Sequence, residues 1–158
     1  MTHFDDFIDL FPEIKLPIIL SEDSSHLFSA ANAPIPQRML DEHLLPFEEE
    51  TDDYTEYIAC FRLPCSEFHA IVFWKAGLMN YHYVMETFTK GGKLIDKRVI
   101  AGTYSDGKTI TRSIARIDDD WTIYIMTGQV EGSATSYDAN LSRAYELELM
   151  PDGKIVNC

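Results

Sequence analysis

The sequence predicts an α+β domain: two short N-terminal helices packed on a twisted, mostly antiparallel β-meander of about seven strands. Three observations carry this expectation. Apolar residues recur at helical spacing only in the first 45 residues; from Glu56 onward they alternate with polar ones; and turns rich in glycine and aspartate punctuate that second region at short intervals. A chain of 158 residues, 46% hydrophobic and 25% charged, suits one complete core, so residues 1–158 are read as a single domain with an acidic helical and loop segment (1–55) and a meander (56–158).

Phe4, Phe7, Ile8 and Phe11 fall at i, i+3, i+4 and i+7, with Thr2 available as N-cap and Pro12 limiting the far end. They predict a short amphipathic helix. Residues Leu16 to Leu20 read as an extended piece, and the following SEDSSH has loop composition. A second helix is expected from Pro36 to about Leu45, because proline suits a first helical turn and Met39, Leu40, His43 and Leu44 share one side. Pro46 ends it.

Expected strands are 56–63, 67–76, 80–89, 93–101, 110–117, 121–129 and 142–150, with a short eighth at 154–157. The short connections between them, such as Gly91-Gly92 and Asp118-Asp119-Asp120, make sequential neighbours antiparallel. A two-residue loop at Gly91-Gly92 pairs Phe88 with Ile95, Glu86 with Lys97 and Val84 with Val99. A three-residue loop at the aspartates pairs Ile117 with Trp121, Ala115 with Ile123 and Ser113 with Ile125, whereas a two-residue loop there shifts the register by one. Joined together, these hairpins put Val84, Phe88, Ile95, Val99, Ile117, Trp121, Ile123 and Ile125 on one face, expected to bury against the helices. The opposite face carries Tyr83, Tyr124 and Met126 among Arg98, Arg112 and Arg116.

Charge is distributed unevenly. Of the net −13, residues 1–56 contribute 14 acids against two bases, while residues 57–158 hold 12 acids and 11 bases. Nucleic acid and anionic membranes need clustered lysine and arginine, so neither is an expected partner, and a basic protein fits better. The run 48–53 lacks the glycine and the alternating ligands of a calcium loop, and like-charge repulsion favours an exposed linker there. Its acids Glu48, Glu49, Glu50, Asp52 and Asp53 are the candidate partner-binding residues. A solvated acidic surface that only keeps the chain soluble is the plainer reading of the same charge.

No catalytic residue, metal site or cofactor is assigned. The histidines make no HxH or HxxxH pair, and no nucleophile elbow, phosphate loop, dinucleotide fingerprint or CxxC motif is present. Cys65 has His69 four residues on, but a strand separates such side chains, and packing explains both. With no basic leader, no apolar run near the roughly 20 residues needed to span a bilayer, and three unpaired-looking cysteines, a cytoplasmic protein is expected; a Cys60–Cys65 disulfide is the exported alternative. The leading functional expectation is a small binding or neutralising protein of the immunity or inhibitor kind engaging a basic protein. The alternative is a small-molecule binder or enzyme taking an anionic ligand, either between helices and sheet or on Tyr83, Arg98, Arg112, Arg116 and Tyr124, residues equally suited to pairing with the chain's own acids. The sequence leaves the oligomeric state open.

Overall fold

A computed structural model describes residues 3–49, 51–131 and 142–158. It has α+β architecture with a mostly antiparallel sheet, and differs from the expectation in detail: nine strands rather than about seven, and more than two helical segments. Helix α1 is Phe4–Asp9 and strand β1 is Ile18–Leu20. A 3₁₀ turn at Glu22–Ser24 leads into α2, Ser25–Ala31. Next comes α3, Gln37–Met39, which widens to a π-helical stretch at Leu40–Leu44 and tightens again over Leu45–Phe47.

Helix α2 is the unexpected element, and serine chemistry explains it. Ser21 and Ser24 form a reciprocal capping box, and the Ser25 hydroxyl donates to the Glu22 carbonyl at 2.8 Å, so a serine-rich stretch that reads as loop supplies helix caps. At the other end, the Asn32 amide donates to the carbonyls of Ala59 (2.6 Å) and Cys60 (2.9 Å), where the first strand pair bulges. At α1, Thr2 lies outside the described residues and His3 is the N-cap. The Arg62 guanidinium collects carbonyls at the helix end, reaching Phe11 O at 3.0 Å and Ile8 O at 3.3 Å, as cations do where a helix leaves carbonyls unpaired.

The remaining strands lie in chain order across the sheet: β2 (Glu56–Arg62), β3 (His69–Ala76), β4 (Asn80–Phe88), β5 (Leu94–Ser105), β6 (Thr109–Ile117), β7 (Thr122–Glu131), β8 (Arg143–Leu149) and β9 (Ile155–Asn157), with β1 added antiparallel to β6. The chain then returns on itself. The Thr87 hydroxyl donates to Gly153 O at 2.6 Å, Asp96 accepts the Ile155 N–H at 2.9 Å, and Arg98 reaches Asn157 Oδ1 at 3.1 Å, fixing the last hairpin against β4 and β5.

Two registers depart from expectation. At Gly91-Gly92 the Glu86–Lys97 and Val84–Val99 pairs form as expected, but Phe88 meets Leu94, because a longer loop is compensated by a bulge at Ile95. At the aspartates Ile117 meets Ile123 and Ala115 meets Ile125, two residues from the expected pairing. Trp121 takes the left-handed loop position (φ 67) usually given to glycine. A shift of two preserves side-chain parity, so Ile117, Ile123 and Ile125 are still buried together.

The single expected apolar face is corrected to two cores. Val84 and Phe88 join Phe7, Phe11, Leu44, Ile71 and Phe73 beneath the helices. Ile117, Ile123 and Ile125 instead join Tyr83, Met85, Val72 and Trp74 in a second core, with Ile95 and Trp121 partly buried against it, and Val99 is exposed. The cause lies in β5. Its pairing with β4 slips by one residue at Ile100, and Gly102 has φ +143, with the position of a would-be Cβ only 2.0 Å from the Tyr81 carbonyl oxygen. That direction points along the sheet rather than away from it, so the strand rolls about its axis and alternation does not carry from β4 to β6.

Gly102→Ala is therefore expected to destabilise by about 2–4 kcal/mol through combined backbone strain and clash. Gly107→Ala, also at positive φ but with open space around it, is expected to cost about 1 kcal/mol. Urea unfolding of both variants checks the difference, and equal losses would remove the roll in β5 as its explanation.

Candidate functional site

The run read as an exposed acidic linker divides into inward and outward groups. Glu48 points inward: its side chain is 4% exposed, with Oε1 at 3.2 Å from Lys75 Nζ on β3 and Oε2 in contact with Lys97 Nζ on β5. Lys97 also donates to the Phe47 carbonyl at 2.9 Å. Register brings the other members of this cluster together. Tyr57 faces Lys75, Lys75 faces His82, and Glu86 faces Lys97, all on the helix side of the sheet. Glu48 is thus neutralised within the fold and is not available to a partner.

Glu86 is 1% exposed and its Oε1 has no hydrogen-bond partner. Burial first, and the charge of Glu48 as well, push its carboxyl up to about 8 against the opposing pull of Lys97. The Tyr57 phenol is pushed up to about 12, by burial and then by Glu48. His82 is held below its ordinary value by burial and by Lys75, and stays neutral. Lys75 and Lys97 share the Glu48 carboxylate, and both lysine side chains are largely covered, so the cluster presents no open cationic surface to an anionic ligand.

The outward acids lie at one end of the sheet. Asp52 Oδ1 accepts the N–H groups of Tyr54 and Thr55, both at 2.8 Å, and the Thr55 hydroxyl at 2.9 Å. These bonds, the hydroxyl's first, hold its carboxyl below the usual value. The turn they fix presents Tyr54, 74% exposed. Because Glu56 pairs with Ala76, the β3–β4 turn emerges at the same end, where Leu78 is 78% and Met79 50% exposed. Asn80 pairs with Tyr104 and the Ser105 N–H donates to Met79 O at 3.3 Å, which adds another exposed aromatic ring. Glu49, Asp53 and Glu56 are exposed as well. Glu50 lies outside the described residues.

The five residues grouped as an arginine and tyrosine face are not brought together. Tyr83 is fully buried and its hydroxyl donates to Ser21 O at 2.7 Å, while Arg98 is engaged with β9. Arg112, Arg116 and Tyr124 do share the outer face of β6 and β7. There the Arg116 guanidinium lies 4.7 Å from the Tyr124 ring centre while its Nε meets Asp118 at 2.9 Å. A groove of about 470 Å³ runs over this face, lined by Ile19, Ile114, Arg116, Tyr124, Met126 and Glu146 among others.

The thiol and imidazole candidates gain little. Cys65 and His69 border one cavity of about 190 Å³, but burial lifts the Cys65 thiol to about 11, leaving it protonated and unreactive at neutral pH. His69 pairs with Phe88 and His82 with Lys75, at opposite ends of one hairpin. Among the described residues no three His, Cys, Asp or Glu side chains are placed to hold a metal ion, and no helix is long and apolar enough to cross a membrane. Sequence reasoning missed Leu78 and Met79; the only signal was two large apolar residues directly after the turn glycine Gly77. Comparison with protein-family models, curated proteins and solved structures gives no match.

Glu86 imposes a signed pH dependence. Its folded value lies above its ordinary 4.5, so between about 4.5 and 8 the folded state keeps a proton that the unfolded chain releases, and this contribution to stability drains as pH rises. Glu86→Gln is expected to gain on wild type across that window, reaching about 2–4 kcal/mol by pH 8. Urea titrations at pH 5 and pH 8 read the difference; an advantage that does not grow with pH would mean Glu86 is ionised in the fold.

Proposed function

We propose that this chain is a non-enzymatic binding protein of the neutralising kind, engaging a basic protein through the end of the sheet that carries Tyr54, Leu78 and Met79. One observation supports the reading above the others: Tyr54 and Met79, of the types enriched in interface centres, are exposed with Leu78 at one end of the sheet, and the segment that carries Tyr54 also carries the exposed carboxylates Asp53 and Glu56. Desolvating Tyr54 and Met79 supplies affinity, and Glu49, Asp53 and Glu56 raise the encounter rate with a positively charged surface. Asp52 plays a positioning part, since its hydrogen bonds shape the turn that displays Tyr54.

An anionic small molecule suits the remaining surfaces less well. Lys75 and Lys97 are largely covered and already share Glu48, and Asp118 takes two of the Arg116 nitrogens beside the exposed carboxylate of Glu146, so neither region is an open cluster of cations of the kind that selects a small anion.

The test is a low-salt pull-down from the cells that make the chain, with wild type and the Glu49→Lys, Asp53→Lys, Tyr54→Ala variant as parallel baits. A basic protein retained by wild type and lost with the variant is the expected result. With the captured protein purified, Tyr54→Ala is expected to weaken binding about 30-fold through dissociation, and the two charge reversals to slow association about 10-fold with a reduced salt dependence. Identical prey on both baits would refute the proposal.

A further inference from the structure

The outer face of β1, β6, β7 and β8 is a surface of a different kind from the acidic end. Cross-strand register is unbroken there, so residues fall into rows. One row runs Ile19, Arg116, Tyr124, Glu146, and the next runs Ile114, Met126, Ala144. Ile19, Ile114 and Met126 are exposed, Met126 by 55%, and these rows line the groove of about 470 Å³. A row of large apolar side chains on the open face of a sheet normally signals something packed against it.

We propose that this face pairs with a second copy of the chain, as two aligned sheets related by a two-fold axis that passes over β7 close to its direction and bisects the angle between the two β7 strands. The charge pattern argues for that occupant. A two-fold operation along the middle strand lays β6 of one copy over β8 of the other, which sets Arg116 opposite Glu146 of the second copy, twice, by symmetry. Ile114 then meets Ala144 of the second copy, a large residue against a small one, and Tyr124 and Met126 meet their own counterparts on the axis. Face-packed sheets cross at about 30°, which limits close facing to these two central rows. Within one chain Asp118 engages the Nε and Nη2 groups of Arg116, so Nη1 is left to donate across the interface. A basic partner would meet Arg112 and Arg116 as like charges, and an acidic one would meet Glu146 and Glu148; only a surface carrying both signs in the reversed order complements this one.

Sedimentation equilibrium of the full chain at about 0.15 M salt, where repulsion between the two acidic copies is screened beyond about 8 Å, tests the pairing. Wild type is expected to dimerise, and Met126→Glu, which sets two carboxylates against each other on the axis, to be monomeric. Glu146→Arg is expected to weaken association at least 10-fold by facing Arg116 of the second copy. Ile114→Glu is expected to weaken it to a similar degree and Ile114→Glu with Ala144→Lys to recover it, although within one chain these positions are two strands apart. Circular dichroism confirms that each variant is folded. A wild type that stays monomeric to about 1 mM, a dimer indifferent to Met126→Glu, or a failure of the paired substitutions to recover association overturns the proposal, and a small molecule or another protein then occupies the groove.

Discussion

The contact on which the helical layer depends is the carboxylate of Glu48 held between Lys75 and Lys97. Residues 4–11 and 35–47 cover Phe73, Val84 and Phe88 from one side, and just after them the chain inserts this carboxylate between β3 and β5 while the Phe47 carbonyl takes a further bond from Lys97. A buried ion pair adds modest net stability, yet breaking it by removing one partner leaves an uncompensated charge at a cost of about 3–5 kcal/mol. The pairing therefore acts mainly as a specificity device. It fixes where the helical segment leaves the sheet and hence where the outward acids, Asp52 and Asp53, and the ring of Tyr54 are displayed. The same carboxylate adds to burial in raising the Glu86 carboxyl, against the pull of Lys97.

A second constraint is the roll of β5 at Gly102. Without it the meander would be one sheet with one buried face; with it, the β6–β8 portion turns its apolar side into a separate core and its Arg116–Tyr124–Glu146 row outward. The two surfaces discussed above follow from these two constraints separately. The acidic end is set by Glu48 and Asp52, and the outer face by the geometry after Gly102.

Most of the strand plan was legible because period-two alternation and turn residues act locally. Observed boundaries such as His69–Ala76, Asn80–Phe88 and Thr109–Ile117 lie within two residues of expectation. What was not legible depended on contacts far apart in sequence or on single backbone angles. Nothing local marks Ile100 as a bulge or Trp121 as a left-handed loop residue, and each shifts a register. Serines 21, 24 and 25 read as loop because their capping role exists only once the helix does. Glu48 sits in a run of acids indistinguishable in composition from Glu49, and only Lys75 and Lys97, 27 and 49 residues away, select it for the interior. The arginine and tyrosine grouping failed to assemble for the same reason: parity counted across β5 does not survive Gly102.

Hydrogen exchange on Glu48→Ala tests the central claim most directly, because local opening reports each element separately. If Glu48 clamps the helical layer, exchange accelerates across residues 37–47 and around Tyr57 while β6, β7 and β8 keep their protection. Unchanged protection of residues 37–47, or an equal rise along the whole chain, would contradict it.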